Sequence, residues 1–119
     1  MPKRVLKSET LARLAVDVAS DKQASDIVLL DIRKASDFAD YFVIMSTDSA
    51  RQRSTLAEEL EQALAKRGGA RLHLEGDPTS GWMVLDYGDV VIHLFGAEER
   101  EFYDLEGAWD RAVEVVRIQ

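Results

Sequence analysis

The chain has 119 residues, 46% hydrophobic and 31% charged, with a net charge of −7 and no cysteine. This is length for one compact domain, residues 1–119, of ordinary globular composition; it excludes a disulfide framework and a thiolate metal site. The excess of carboxylates makes nucleic acid a poor direct partner, because phosphate binding needs clustered cations, and suits a basic protein instead.

Every apolar run is far shorter than a membrane span, and the opening MPKRVLK lacks the apolar length of a signal peptide. No membrane partner and a cytoplasmic location are therefore expected. Ser8 to Ser20 carries Leu11, Leu14, Ala15 and Val18 at helical spacing, with Ser8 in place for an N-cap. After DKQAS, the run DIVLLDI (Asp26 to Ile32) has the continuous apolar character of a strand buried on both faces. A second such run, YFVIMS (Tyr41 to Ser46), follows a link too short for a parallel crossover, so the two are expected to pair antiparallel.

SARQ (Ser49 to Gln52) fits a capping box, with Leu56, Leu60, Ala63 and Leu64 on one face of the helix it opens and Gly68 and Gly69 at its end. ARLHLEG alternates, which predicts a strand with Leu72 and Leu74 facing in, parallel to the preceding strand. GDPTSG reads as a loop. A hairpin follows, then a helical turn at AEEREFY, then a last helix capped by Asp104 that uses Leu105, Trp109, Ala112, Val113 and Val116. The order α-β-β-α-β-β-β-α predicts one α/β domain of mixed α+β character, a mixed five-stranded sheet flanked by helices.

The hairpin GWMVLDYGDVVIHLF (Gly81 to Phe95) carries the informative pattern. With Tyr87-Gly88 as its two-residue loop, Asp86 faces Asp89, Val84 faces Val91 and Trp82 faces His93. Met83, Leu85, Val90, Ile92 and Leu94 then form an apolar core face. The other face mixes Trp82, Val84, Val91 and Phe95 with His93 and the two aspartates. Opposed carboxylates repel, so that end must meet water or a cation. Two readings stand: a helix covers the apolar part, or the face is a docking surface anchored by Trp82, a residue type enriched among interface anchors.

Signs of catalysis are absent from the pattern. His73 and His93 lack metal-ligand spacing, and no cofactor is expected. Neither GxSxG, GxGxxG nor GxxxxGK[ST] occurs. Asp37 with Asp40, and Asp86 with Asp89, are the nearest to paired carboxylates, but a two-metal site wants carboxylates converging from adjacent strands, and Asp86 and Asp89 flank a turn. Glu98 to Glu101 reads as a wet helical face.

The segments DYFVIMSTDSARQ, GWMVLDYGDVVIHLF and REFYDLEGAWDRA, in that order and spacing, resemble the ribosomal silencing factor family, also called Iojap-like or RsfS. The likeness runs from Val5 to Arg117. It implies a fold distantly like nucleotidyltransferases without their catalytic residues. It also implies a non-enzymatic translational repressor, which binds the large ribosomal subunit through its fourteenth ribosomal protein and blocks joining of the small subunit; a homodimer is implied as well. The family's docking tryptophan falls on Trp82, its hairpin histidine on His93 and its R-x-x-Y aromatic on Tyr103. The resemblance favours the docking reading of the hairpin, with Trp82, Val84, Asp86, Asp89, Val91, His93, Phe95 and Tyr103 as partner-binding residues and Glu99 or Glu106 at the rim. Departures are Thr47, where the family usually has Gly, and Gly107-Ala108 before Trp109, where it has a long polar residue and Leu. The rival reading is a nucleotidyltransferase-like nucleotide-binding enzyme on the same fold.

Overall fold

A computed structural model describes residues 7–119; of the opening MPKRVLK only Lys7 lies within them. Ten elements follow in chain order: α1 (Ser8–Asp21), β1 (Ser25–Asp31), β2 (Tyr41–Thr47), α2 (Ala50–Lys66), β3 (His73–Glu75), β4 (Trp82–Asp86), β5 (Val90–Gly96), α3 (Ala97–Tyr103), α4 (Leu105–Ala108) and β6 (Val113–Ile118). They form a mixed α/β domain around one sheet of order β3-β4-β5-β2-β1-β6. Only β2 and β5 pair in parallel; every other neighbouring pair is antiparallel, β1 with β2 as expected.

Two cores lie on opposite sides of this sheet. On the first, α1 and α2 bury Leu11, Ala15, Leu56, Leu60 and Leu64 against Leu29, Val43, Met45, Leu85, Ile92 and Leu94. Period-two alternation turns Val28, Leu30, Phe42, Ile44, Val91 and Phe95 to the second side. There the cover is thin. It consists of Leu105, Trp109 and Ala112 from the short segment around α4, with partly buried Trp82 and Val84 completing the cluster.

Local signals fixed α2 well. The Ser49 hydroxyl accepts from the Gln52 amide at 3.0 Å, while Gln52 Oε1 accepts from the Asp48 amide, one residue before the position expected of a capping box. Its C-terminus closes where the Gly69 amide donates to the Leu64 carbonyl at 2.8 Å. Buried Arg53 reaches from α2 to the loop before β4, giving Nε and Nη2 to the Pro78 carbonyl and Nη1 to Thr47 Oγ1 at 3.0 Å. The Thr47 hydroxyl in turn donates to the Phe95 carbonyl at 2.9 Å. The Thr47 side chain thereby ties the C-terminal ends of β2 and β5 together.

Five expectations are corrected. Ser8 is not the cap of α1: Lys7 occupies that place, and the Ser8 hydroxyl donates to Asp40 at 2.7 Å. The strand β3 shares the direction of β2 but lies at the far edge against β4, and Leu72 and Leu74 are exposed, 62% and 43%. An edge strand covered on neither face has no inside for them.

The hairpin loop is Gly88-Asp89, with the Tyr87 amide donating to the Val90 carbonyl at 2.9 Å. Gly88 takes φ +85° as the first loop residue, a conformation open to glycine at no steric cost. The register therefore slips by two: Trp82 faces Phe95, Val84 faces His93 and Asp86 faces Val91, so the aspartates do not oppose each other. Finally, the last helix is one turn, α4, and Val113–Ile118 forms a sixth strand on the open edge of β1, so the sheet has six strands and not five. An unpaired row of β1 amides and carbonyls and a β-branched run outweigh the helical spacing.

These placements separate two leucines. Leu60→Ala, at 0% exposure, should lower unfolding free energy in urea by about 2–5 kcal/mol, whereas Leu72→Ala should change it by less than about 0.5 kcal/mol. Equal losses would contradict the edge position of β3.

Candidate docking surface

Trp82 opens β4 and projects to the thinly covered side of the sheet. Its indole stacks on Phe95, with centroids 4.9 Å apart and planes at 27°, and meets Tyr103 of α3 at 4.8 Å. The ring remains partly exposed. Beside it lies a cleft of about 290 Å³ lined by Glu75, Gly76, Ser80, Trp82, Val84 and Tyr103. Ser80 braces the strand entry, its hydroxyl donating to the Trp82 carbonyl at 2.9 Å.

Three of the residues expected at the surface lie beneath it. Phe95, His93 and Val91 are 0%, 5% and 8% exposed. His93 and Phe95 form the bed on which the indole rests, and Val91 lies farther along β5, opposite Asp86. Trp82 Nε1 donates to His93 Nδ1 at 3.2 Å, which requires the tautomer with its proton on Nε2. That Nε2 is buried and has no hydrogen-bond partner among the described residues. Burial pushes the imidazole pKa down to about 3, so His93 is neutral and stays an acceptor for the indole. Phe42 meets His93 edge-on at 4.7 Å and Trp109 at 5.2 Å, and Phe38 caps Trp109 at 5.6 Å. One seam of rings thus crosses the whole second face.

Asp86 and Asp89 sit at the other end of the hairpin, roughly 13 Å along the strand from Trp82 at the usual rise. The Asp86 carboxylate accepts from the Gly88 amide at 2.8 Å; Asp89 is exposed and its carbonyl accepts from the Asp40 and Tyr41 amides. Among the described residues no group of three or more His, Asp or Glu could hold a metal ion. Glu106 is already engaged: it accepts from Arg100 Nε at 2.9 Å and from Arg117 Nη2 at 3.2 Å. Burial pushes its carboxyl up, but those two guanidinium groups outweigh burial and hold it below the usual range. It clamps β6 to α3 and is not a free rim charge.

Sequence reasoning missed Phe102. It is 81% exposed and meets Tyr103 edge-on, with centroids 5.0 Å apart and planes at 89°. A signal was present: on a helix, three of the four residues three or four places from Phe102 are Glu98, Glu99 and Glu106, and only Leu105 is apolar. Tyr103, as expected, is half exposed at 50%.

The neutral state of His93 has a pH consequence. Its folded pKa of about 3 lies below the ordinary histidine value of 6.5, so the unfolded chain binds more protons between these values. The stability tied to neutral His93 is complete above about pH 6.5 and falls as pH drops toward 3, by roughly a kcal/mol per pH unit. In urea melts from pH 7 to pH 4, the stability difference between the native protein and His93→Leu should shrink steadily; a constant difference would mean that the histidine titrates alike in both states.

The family described as "Ribosomal silencing factor during starvation" matches residues 5–119. A ribosomal silencing factor RsfS of Halalkalibacterium halodurans is 36% identical over 107 residues, spanning 90% of this chain and 92% of its own length. Another, of Zymomonas mobilis, is 40% identical over 101 residues, spanning 85% and 76%. A crystal structure of a Chromobacterium violaceum protein superposes with a TM-score of 0.84 at 28% identity and 88% coverage of each chain. The Trp82 hairpin and the helix after it thus belong to a known lineage, and the chain is a member of the ribosomal silencing factor family.

Proposed function

We propose that this protein represses translation by binding the large ribosomal subunit through its fourteenth ribosomal protein, covering the surface that the small subunit needs. The observation that carries the reading is the half-covered Trp82–Tyr103 pair, on a sheet face over which the described residues place no long helix, in a member of a silencing-factor family. Trp82, Val84 and Tyr103 make the contact area. His93 and Phe95 act from below by holding the indole, and Val91 underlies the Asp86 end of the face. Fully buried, well-packed aromatic anchors dominate interface energies, and a ring already fixed by a stack and a hydrogen bond loses little freedom on docking.

Charge supports the same partner. Glu75 lines the Trp82 cleft, Glu98 and Glu99 line the neighbouring one, and Asp86 and Asp89 extend the acidic rim toward the hairpin turn. A chain of net charge −7 is suited to a basic ribosomal protein through complementary potential. Repression by occupancy needs no turnover, and the site of action is the cytoplasm, where subunits join. The rival reading as a nucleotide-transferring enzyme draws no support from Asp86 and Asp89, since one serves the turn and the other points to solvent. A homodimer built through the Trp82 face would compete with subunit binding; one built elsewhere would not.

The experiment is co-sedimentation with isolated large and small subunits, followed by a joining assay. Native protein should pellet with large subunits alone and lower the yield of joined ribosomes. Trp82→Ala should weaken binding by roughly thirtyfold, about 2 kcal/mol, and restore joining. Undiminished co-sedimentation of Trp82→Ala at moderate salt would remove the anchor role.

A further inference from the structure

The first turn of α3 carries a carboxylate that no hydrogen bond or ion pair among the described residues engages. Glu99 is half-buried, and its carboxyl group lies against the backbone of Gly81 and Gly96; a Cβ on either glycine would collide with it. Only glycine at both places lets the group sit there. Among the described residues no hydrogen bond or ion pair reaches it, in contrast to Glu106 on the same segment; Arg53 stands nearby at Gly96, but its donors go to Pro78 and Thr47. It faces a cleft of about 420 Å³ whose other walls are Ser80, Glu98, Phe102 and Tyr103. This cleft shares Ser80 and Tyr103 with the Trp82 cleft, so the two lie side by side.

We infer that the Glu99–Phe102–Tyr103 cleft receives one cationic side chain, a guanidinium by preference, from the basic protein surface on which Trp82 docks. The inference rests on the docking reading above and specifies its chemistry. Two independent features point to a cation of this shape. The fixed carboxylate offers two oxygens to a planar fork of N–H donors. The Phe102–Tyr103 pair, exposed at 81% and 50%, offers ring surface on which a guanidinium stacks and an aliphatic stem packs. A bare metal ion fits poorly, since no group of three acidic or histidine ligands forms among the described residues. A solvated helical face accounts for exposed Glu98 and Glu101; it does not account for a carboxylate held between two glycines beside an uncovered phenylalanine.

Affinity for isolated large subunits, measured at several salt concentrations, tests this. Glu99→Gln keeps the shape and removes the charge. It should weaken binding by roughly tenfold at low salt, with the deficit closing as salt rises, because one ion pair is lost. Phe102→Ala should weaken binding severalfold while leaving the salt dependence as in the native protein. Glu101→Gln, on the same helix but outside the cleft, should behave as native. Glu99→Gln matching Glu101→Gln in both affinity and salt dependence would overturn the inference. Trp82→Ala in the same series separates the two readings: if it weakens binding while Glu99→Gln does not, only the cation cleft is lost; if it binds like native, the docking face itself is misassigned.

Discussion

Strands β2 and β5 have no polar face, and the rest of the architecture answers to that constraint. Tyr41–Thr47 and Val90–Gly96 are buried along their whole lengths, so the sheet must be covered on both sides. The chain provides two long amphipathic helices, and both go to one side. The second side is left to short segments and large side chains. Packing there is accomplished by rings: Phe38, Trp109, Phe42, His93, Phe95, Trp82, Tyr103 and Phe102 touch in sequence across the face. Aromatic pairs of this kind contribute about 0.5–1.5 kcal/mol each beyond the area they bury. A seam of plates, unlike a helix, has ends, and both ends emerge into solvent, Phe38 at 63% and Phe102 at 81%.

This solution links stability to recognition. The Phe95 ring that seals the core is the platform for Trp82, and the His93 imidazole that fills the sheet is the acceptor for its N–H. Accepting the indole at Nδ1 puts the His93 proton on Nε2, where it has no partner among the described residues, at a cost of about 1–3 kcal/mol for a buried donor. The return is an indole fixed in one orientation before any partner arrives. On the opposite flank, Arg100 and Arg117 gather Asp26, Glu106 and Glu114 into one network that secures β6. The charged groups of the molecule thus divide: those near the C-terminal strand neutralise one another, while Glu98 and Glu99 remain outside the ion pairs of the described residues and face the aromatic end.

Much of the fold was legible because its signals are local. The apolar runs of β1 and β2, the cap and stop of α2, and the inward face Met83, Leu85, Val90, Ile92 and Leu94 follow from residue type and periodicity within a few positions. The docking candidate Trp82 was legible for the same reason: a large ring on the strand face that also carries Asp86. The hairpin register was not. A slip of two residues leaves every side chain on its original face, so the hydrophobic pattern is blind to it and only the turn, with Gly88 at positive φ, decides. Nor was β6 legible, because Val113 to Ile118 satisfies both a helical and a strand pattern, and the choice lies with an open edge more than eighty residues away in the chain, at Ile27 to Asp31.

By itself, then, the sequence determined that β1, β2, β4 and β5 are strands, which side of the β4–β5 hairpin is core, and which family the motifs resemble, since all of these depend on neighbours along the chain. Tertiary structure alone decided how far Trp82 is covered, that Val91, His93 and Phe95 support the surface from below, and that Phe102 and Glu99 stand beside it. Exposure is a property of what packs from elsewhere, and on this face too little arrives to close over the rings.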